Sequence, residues 1–219
     1  MTGLPEAAAA SAVCILLSAA LAAVLRKRYG SLFRSGAALP LFALPAAVAS
    51  ILLSAAGDGR DTGGISLAVI LIFAAGAAVF DVKERIIPFP LSGAAALSAF
   101  AISVVCRRDV SFKEVLLASA GGVILGAVVS AVGMAAVRGG LGGGDAAIII
   151  AIGAGTGLAS LFWVLAVSFL MTSAAGIFII ARKKGNLKTN LPLAPYLFAA
   201  VAVCIVLKAV GNLLSLSGG

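Results

Sequence analysis

The chain of 219 residues is 62% hydrophobic and only 11% charged, with a mean hydropathy of +1.20; soluble domains carry roughly a quarter of charged residues, so a water-soluble globule is excluded. The formal charge of +8, from 16 basic and 8 acidic residues, marks no nucleic-acid patch, because Lys and Arg cluster between apolar runs as membrane-flanking loops do. Histidine is absent, which removes His-dependent Ser and Cys nucleophiles, His-ligated zinc and an imidazole base together.

A hydrocarbon core about 30 Å thick takes roughly 20 apolar helical residues to cross. The apolar runs predict spans at 7–25, 37–56, 65–81, 89–106, 115–137, 146–158, 159–181 and 192–213. This is an all-α polytopic membrane protein, a bundle of about eight helices in the lipid bilayer, with two accessory helices in residues 1–64 and a six-helix core in 65–219. Only Glu6 precedes the first run while Arg26, Lys27 and Arg28 follow it, the reverse of a cleavable signal peptide, which predicts an anchored helix with its N-terminus outside. Residues 146–181 form one apolar stretch, about 54 Å as a single helix. Two crossings fit if the chain turns near Gly153, Gly155 and Gly157, which makes the first of them short, with its start below the membrane surface.

Eight crossings from an outside N-terminus place Arg26, Lys27, Arg28, Arg34, Lys83, Arg85, Arg138, Arg182, Lys183, Lys184 and Lys188 in the cytoplasm. Arg60, Arg107, Arg108, Lys113 and Lys208 fall outside, so the positive-inside bias supports this orientation. Of the 8 acidic residues, the same topology leaves Asp81, Glu84 and Asp145 inside. Cys14, Cys106 and Cys204 are isolated in or beside apolar stretches and define neither a disulfide framework nor a metal site.

Asp81 closes the third apolar run, in Phe80-Asp81-Val82-Lys83-Glu84-Arg85-Ile86-Ile87-Pro88. A carboxylate there faces the negative end of the helix dipole, where Lys or Arg would be favoured. It is either an interfacial anchor paired with Lys83 or Arg85, or a functional group, as ionisable residues at membrane depth tend to be. Asp145 follows Gly139-Gly140-Leu141-Gly142-Gly143-Gly144 and opens the run from Ala146. It is either the N-cap of the next helix or part of a site whose glycines let an extended peptide lie against the loop. Phosphate binding fits poorly, since no Lys-Ser or Lys-Thr follows the glycines. As a pair on one side of the membrane, Asp81 and Asp145 can share a proton, one drawing a proton from water while the other hydrogen-bonds a scissile carbonyl. No cofactor or metal is required.

These residues resemble the type IV prepilin peptidases, among the Gly-x-Gly-Asp intramembrane aspartic proteases. Gly142-Gly143-Gly144-Asp145 matches that signature, and Asp81 with basic residues and Ile87-Pro88 is similar to the family's other catalytic segment. Leu191-Pro192-Leu193-Ala194-Pro195-Tyr196 is similar to the entry into its last helix. The resemblance implies Asp81 and Asp145 as catalytic residues, with Gly142, Gly144, Pro88 and Pro195 in the supporting loop and turns. It also implies removal of the basic leader from prepilins or pseudopilins, after a glycine, at the cytoplasmic face of the inner membrane. Phe89 stands where the family usually has Asn or Asp, and Ala147 where it often has Lys. The link at 26–36 has no cysteine, so the chain looks like a peptidase-only form without methyltransferase activity. Two other readings have their own markers. A presenilin-like protease would have Tyr before the first Asp, where this chain has Phe80, and a transporter or scaffold would place its acids at the midplane and show an internal repeat.

Overall fold

The computed structural model describes residues 62–106, 111–136, 141–182 and 192–217. The described residues are helical apart from short turns, and contain six helices and no strand: α1 (Thr62–Glu84), α2 (Phe89–Cys106), α3 (Phe112–Ala136), α4 (Gly143–Thr156), α5 (Leu158–Ala181) and α6 (Ala194–Ser217). They correspond in order to the six spans expected after residue 64. The two accessory spans expected at 7–25 and 37–56 lie outside the described residues.

Helices that are apolar all round have no solvent face and must be covered by protein or lipid. Both solutions occur. In α1 every residue from Ser66 to Ala77 is buried, against α2, α4 and α6. By contrast α3 and α5 keep Leu117, Ile124, Val132, Phe162, Trp163, Leu170 and Ile177 exposed, and both are long and apolar enough to cross a membrane by length and composition. The apolar parts of the other four are shorter, 10–17 residues. An outer surface of this kind is matched to hydrocarbon rather than to water.

The stretch from 146 to 181 is divided as its length demands. α4 has 14 residues, about 21 Å, and ends at Gly157, whose φ of 84° lies in the left-handed region that a side chain disfavours. Of the three glycines the sequence offers for this turn, only Gly157 has a positive φ. Its N–H donates to the Gly153 carbonyl at 2.9 Å, while the Leu161 N–H donates to the Gly157 carbonyl at 3.1 Å. α5 then returns for 24 residues.

α4 packs mainly against α3 and α2, and small residues set the distance. Gly122 of α3 and Gly153 of α4 meet backbone to backbone, and Gly155 lies against Ala99 of α2; a methyl group on any of these glycines would overlap its neighbour. With Phe89 beside Gly143 at the other end, α4 runs parallel to α2, and it runs antiparallel to α3. Carbonyls freed at a helix end inside a membrane must find donors within the protein. The Gly155 carbonyl accepts Ser103 Oγ at 2.9 Å, and Ser103 Oγ is hydrogen-bonded at 2.7 Å to Ser66 Oγ, all of it buried. This serine pair ties α1, α2 and the end of α4 together.

The two-crossing division makes a direct prediction. In a chain stripped of Cys14, Cys106 and Cys204, Ser160→Cys and Ala181→Cys, at opposite ends of α5, are expected to be labelled by a membrane-impermeant maleimide from opposite sides of sealed vesicles. Labelling of both from one side contradicts the reading.

Candidate active site

The chain ends of α1, α3 and α5 and the starts of α2, α4 and α6 gather at one end of the bundle, opposite the serine pair. Both Asp81 and Asp145 are there. α1 does not stop where its apolar run stops: it continues to Glu84 and closes with Arg85 at φ 57°, whose N–H donates to the Asp81 carbonyl at 3.1 Å. Asp81 thus sits in the last turn, 6% exposed. Its Oδ2 accepts the backbone N–H of Ala194 at 3.0 Å, a buried bond between residues 113 apart, and the Leu193 N–H acts on the same carboxylate. These donors belong to the first turn of α6, where backbone N–H groups lack intrahelical acceptors and the dipole favours an anion. The interfacial-anchor alternative named Lys83 or Arg85 as the partner. Arg85 does lie within electrostatic range, but the hydrogen bond goes to α6.

The N-cap alternative for Asp145 is displaced by one turn. The helix begins at Gly143 with Gly142 as its N-cap, because the backbone of the glycine run is already helical before the apolar residues start. Asp145 is therefore the third residue of α4 and reaches back, its Oδ2 accepting the Gly142 N–H at 3.2 Å. That is the carboxylate half of a capping box. A glycine has no side chain to supply the other half. Asp145 Oδ1 is buried and has no hydrogen-bond partner.

What joins the two segments is the short turn after α1. A methyl group on Gly144 would stand 2.8 Å from Ile87 Cβ and 3.0 Å from the Ile87 carbonyl oxygen, so Gly144 is glycine to let the turn seat directly on the start of α4. Ile87 is buried there. Pro88 follows, its carbonyl accepting the Leu91 N–H at 3.0 Å to open α2. Seated in this way, the Asp81 carboxylate is close enough to act electrostatically on Asp145. Pro195 lies in the first turn of α6, where a missing N–H costs least. Around the pair Val82, Ile86 and Phe89 are each more than half exposed, beside the exposed Glu84 and Arg85, with the Phe89 ring against Gly143.

Residues 67–180 match the type IV leader peptidase family, over half of the chain and including both aspartates. The chain belongs to the type IV leader peptidase family. It is accordingly a membrane protein and a protease, a hydrolase of the leader-peptidase type. No curated protein and no solved structure matches it. The matched segment stops before Leu191–Tyr196, so the contact of Ala194 with Asp81 is a contribution of the three-dimensional structure alone. Sequence reasoning singled out the prolines of that segment and missed its backbone N–H groups; it named Ile87 with Pro88 but missed the seat of Ile87 on Gly144, for which the glycine run was the available signal.

Among the described residues no cluster of His, Cys, Asp and Glu is arranged to hold a metal ion. The site is built from two carboxylates, backbone N–H groups and an arginine.

The Ile87–Gly144 contact gives the second prediction. Gly144→Ala is expected to destabilise the protein by about 1–3 kcal/mol through overpacking and to reduce proteolysis, and adding Ile87→Ala should recover part of both. Thermal unfolding in detergent together with a cleavage assay checks it; an unchanged melting temperature and activity in the single variant would refute the contact.

Proposed function

We propose that this chain is a membrane-embedded aspartic endopeptidase that removes the leader peptide from type IV prepilins or pseudopilins at the cytoplasmic face of the inner membrane, with Asp81 and Asp145 as the water-activating pair. One observation carries the reading: a buried and a half-buried acidic side chain, 64 positions apart in the chain, come together at one end of an otherwise apolar bundle, with Asp81 acting electrostatically on Asp145. Two carboxylates at that range do not both ionise cheaply, so they hold one proton between them. They titrate as a unit.

The chemistry follows from that shared proton. The ionised carboxylate takes a proton from water as the oxygen attacks the scissile carbonyl carbon, and the protonated carboxyl gives its proton to the carbonyl oxygen, forming a neutral gem-diol. The pair has now exchanged roles. Collapse of the diol breaks the C–N bond, with a proton delivered to the leaving nitrogen, and yields a new carboxyl end on the leader and a free amine on the mature chain. Neither histidine nor metal is needed.

The location of the pair supports the substrate class. A prepilin offers a polar basic leader followed by a hydrophobic helix, so its scissile bond lies where water meets lipid. Asp81 and Asp145 sit at helix ends with the exposed Val82, Ile86 and Phe89 beside them. Arg85 and Arg182 mark the same end of the bundle as positively charged, with Arg182 stacked 4.2 Å over the Phe178 ring, which favours the cytoplasmic side. The six described helices form the peptidase core in this reading.

Asp81→Ala and Asp145→Ala are each expected to lower cleavage of a co-expressed prepilin by about a thousandfold or more, as loss of one member of a catalytic unit does, while membrane insertion is retained. N-terminal sequencing of the pilin reads the outcome. Full processing by either variant sinks the proposal and favours a non-enzymatic scaffold.

A further inference from the structure

The two carboxylates of the proposed pair have unequal partners. Burial disfavours charge on both, but on Asp81 it is opposed by the Ala194 N–H at 3.0 Å on Oδ2, the Arg85 guanidinium and the Leu193 N–H. Asp145 has one longer bond, from the Gly142 N–H at 3.2 Å, a buried Oδ1 without a donor, and the like charge of Asp81 acting on it. A buried oxygen with no donor is costly on an anion, whereas the hydroxyl of a protonated carboxyl can itself donate to a carbonyl that arrives.

The sequence builds the donor turn deliberately enough to be traced. Tyr196 and Leu197 N–H both donate to the Leu193 carbonyl, at 3.0 and 3.1 Å, which fixes the first turn of α6. Pro195 contributes no N–H, and Ala194 N–H has no acceptor within its own helix. Asp81 therefore acts as the N-cap of α6 from another helix.

We infer that the Leu193–Ala194 turn is a positioning element of the active site, which fixes Asp81 as the ionised member that activates water and leaves Asp145 as the protonated member that donates to the scissile carbonyl. This assignment rests on the proposed peptidase reading and adds direction to it. The other elements packed on α1 do not compete for the role: α2 carries no charged side chain, α4 brings Asp145, and the first turn of α6 brings Tyr196 as its only ionisable side chain.

The test uses the full-length protein in lipid nanodiscs and a synthetic peptide with a basic leader, the glycine and the hydrophobic start of a prepilin. Replacing Ala194 by lactic acid turns its N–H into an ester oxygen and removes one donor from Asp81. The expected result is a fall in kcat of about tenfold at neutral pH, KM within about twofold, and an acid limb of the pH–rate profile moved up by about one unit. Asp145→Asn, whose amide still donates, is expected to retain about tenfold more activity than Asp81→Asn and to lose the alkaline limb. A loss that is equal at every pH in the ester variant means the bond only tethers α6, and equal loss in the two Asn variants means the roles are not assigned; either overturns the inference. Cleavage by Asp81→Ala or Asp145→Ala would instead remove the peptidase reading on which it stands.

Discussion

The arrangement of this bundle depends on one buried pairing, between the Asp81 carboxylate and the open first turn of α6. Inside a membrane protein an unpartnered anion and an unpartnered backbone N–H are both expensive. Each here satisfies the other at 3.0 Å. Because Asp81 lies in the last turn of α1 and Ala194 opens α6, that bond fixes the ends of two long helices against each other. Three residues past the end of α1, the chain presents Ile87 to Gly144. The position of α4, and with it of Asp145, follows from a contact that the Asp81 end of α1 has already set.

The far end of α4 is constrained independently. Gly155 rests on Ala99 while its carbonyl takes the Ser103 hydroxyl, and Gly153 rests on Gly122. With Ile87, just before α2, on Gly144 at one end and Ala99 on Gly155 at the other, α4 is held in register over 12 of its 14 residues. A helix so short and so tightly flanked by small residues has little room to slide or to rotate. The longer lipid-facing helices α3 and α5, with their exposed Leu, Ile and Phe side chains, lack a comparable constraint on their outer faces. Precision is concentrated where the acids are.

Much of this architecture was legible because hydropathy and length report directly on burial in lipid. The six described helices, the short α4 and the turn at Gly157 follow from counting apolar residues against the thickness of a bilayer. The proximity of Asp81 and Asp145 was also legible, because only eight carboxylates exist and these two stand at the ends of apolar runs. What could not be read were contacts made by backbone. Ala194 is one of many alanines, and nothing in its identity marks its N–H as the partner of an acid 113 positions away. The glycine run suggested space for a substrate, but Gly142, Gly143 and Gly144 look alike in sequence, and only their neighbours distinguish the N-cap, the seat of the Phe89 ring and the seat of Ile87. Likewise Ser66 and Ser103 are single polar residues in apolar helices, and their joint role appears only once both face the end of α4.

The two acids also differ in what folding asks of them. Replacing a buried ion pair by apolar residues often leaves a protein as stable or more so, but an apolar side chain at position 81 would leave the Ala194 N–H without its acceptor, so the α1–α6 contact by itself gives a reason for an acceptor there. Asp145 carries no such obligation beyond the one hydrogen bond from Gly142. A Ser or Thr as N-cap at 142 would serve the helix start as well, and would spare the protein a second, half-buried acid beside the first. Its Oδ1, buried without a partner and under the influence of a like charge, is a cost that packing does not repay. Sites where local rules are broken without a structural gain are where function is to be sought, and by that measure Asp145, more than Asp81, is the residue that packing does not account for.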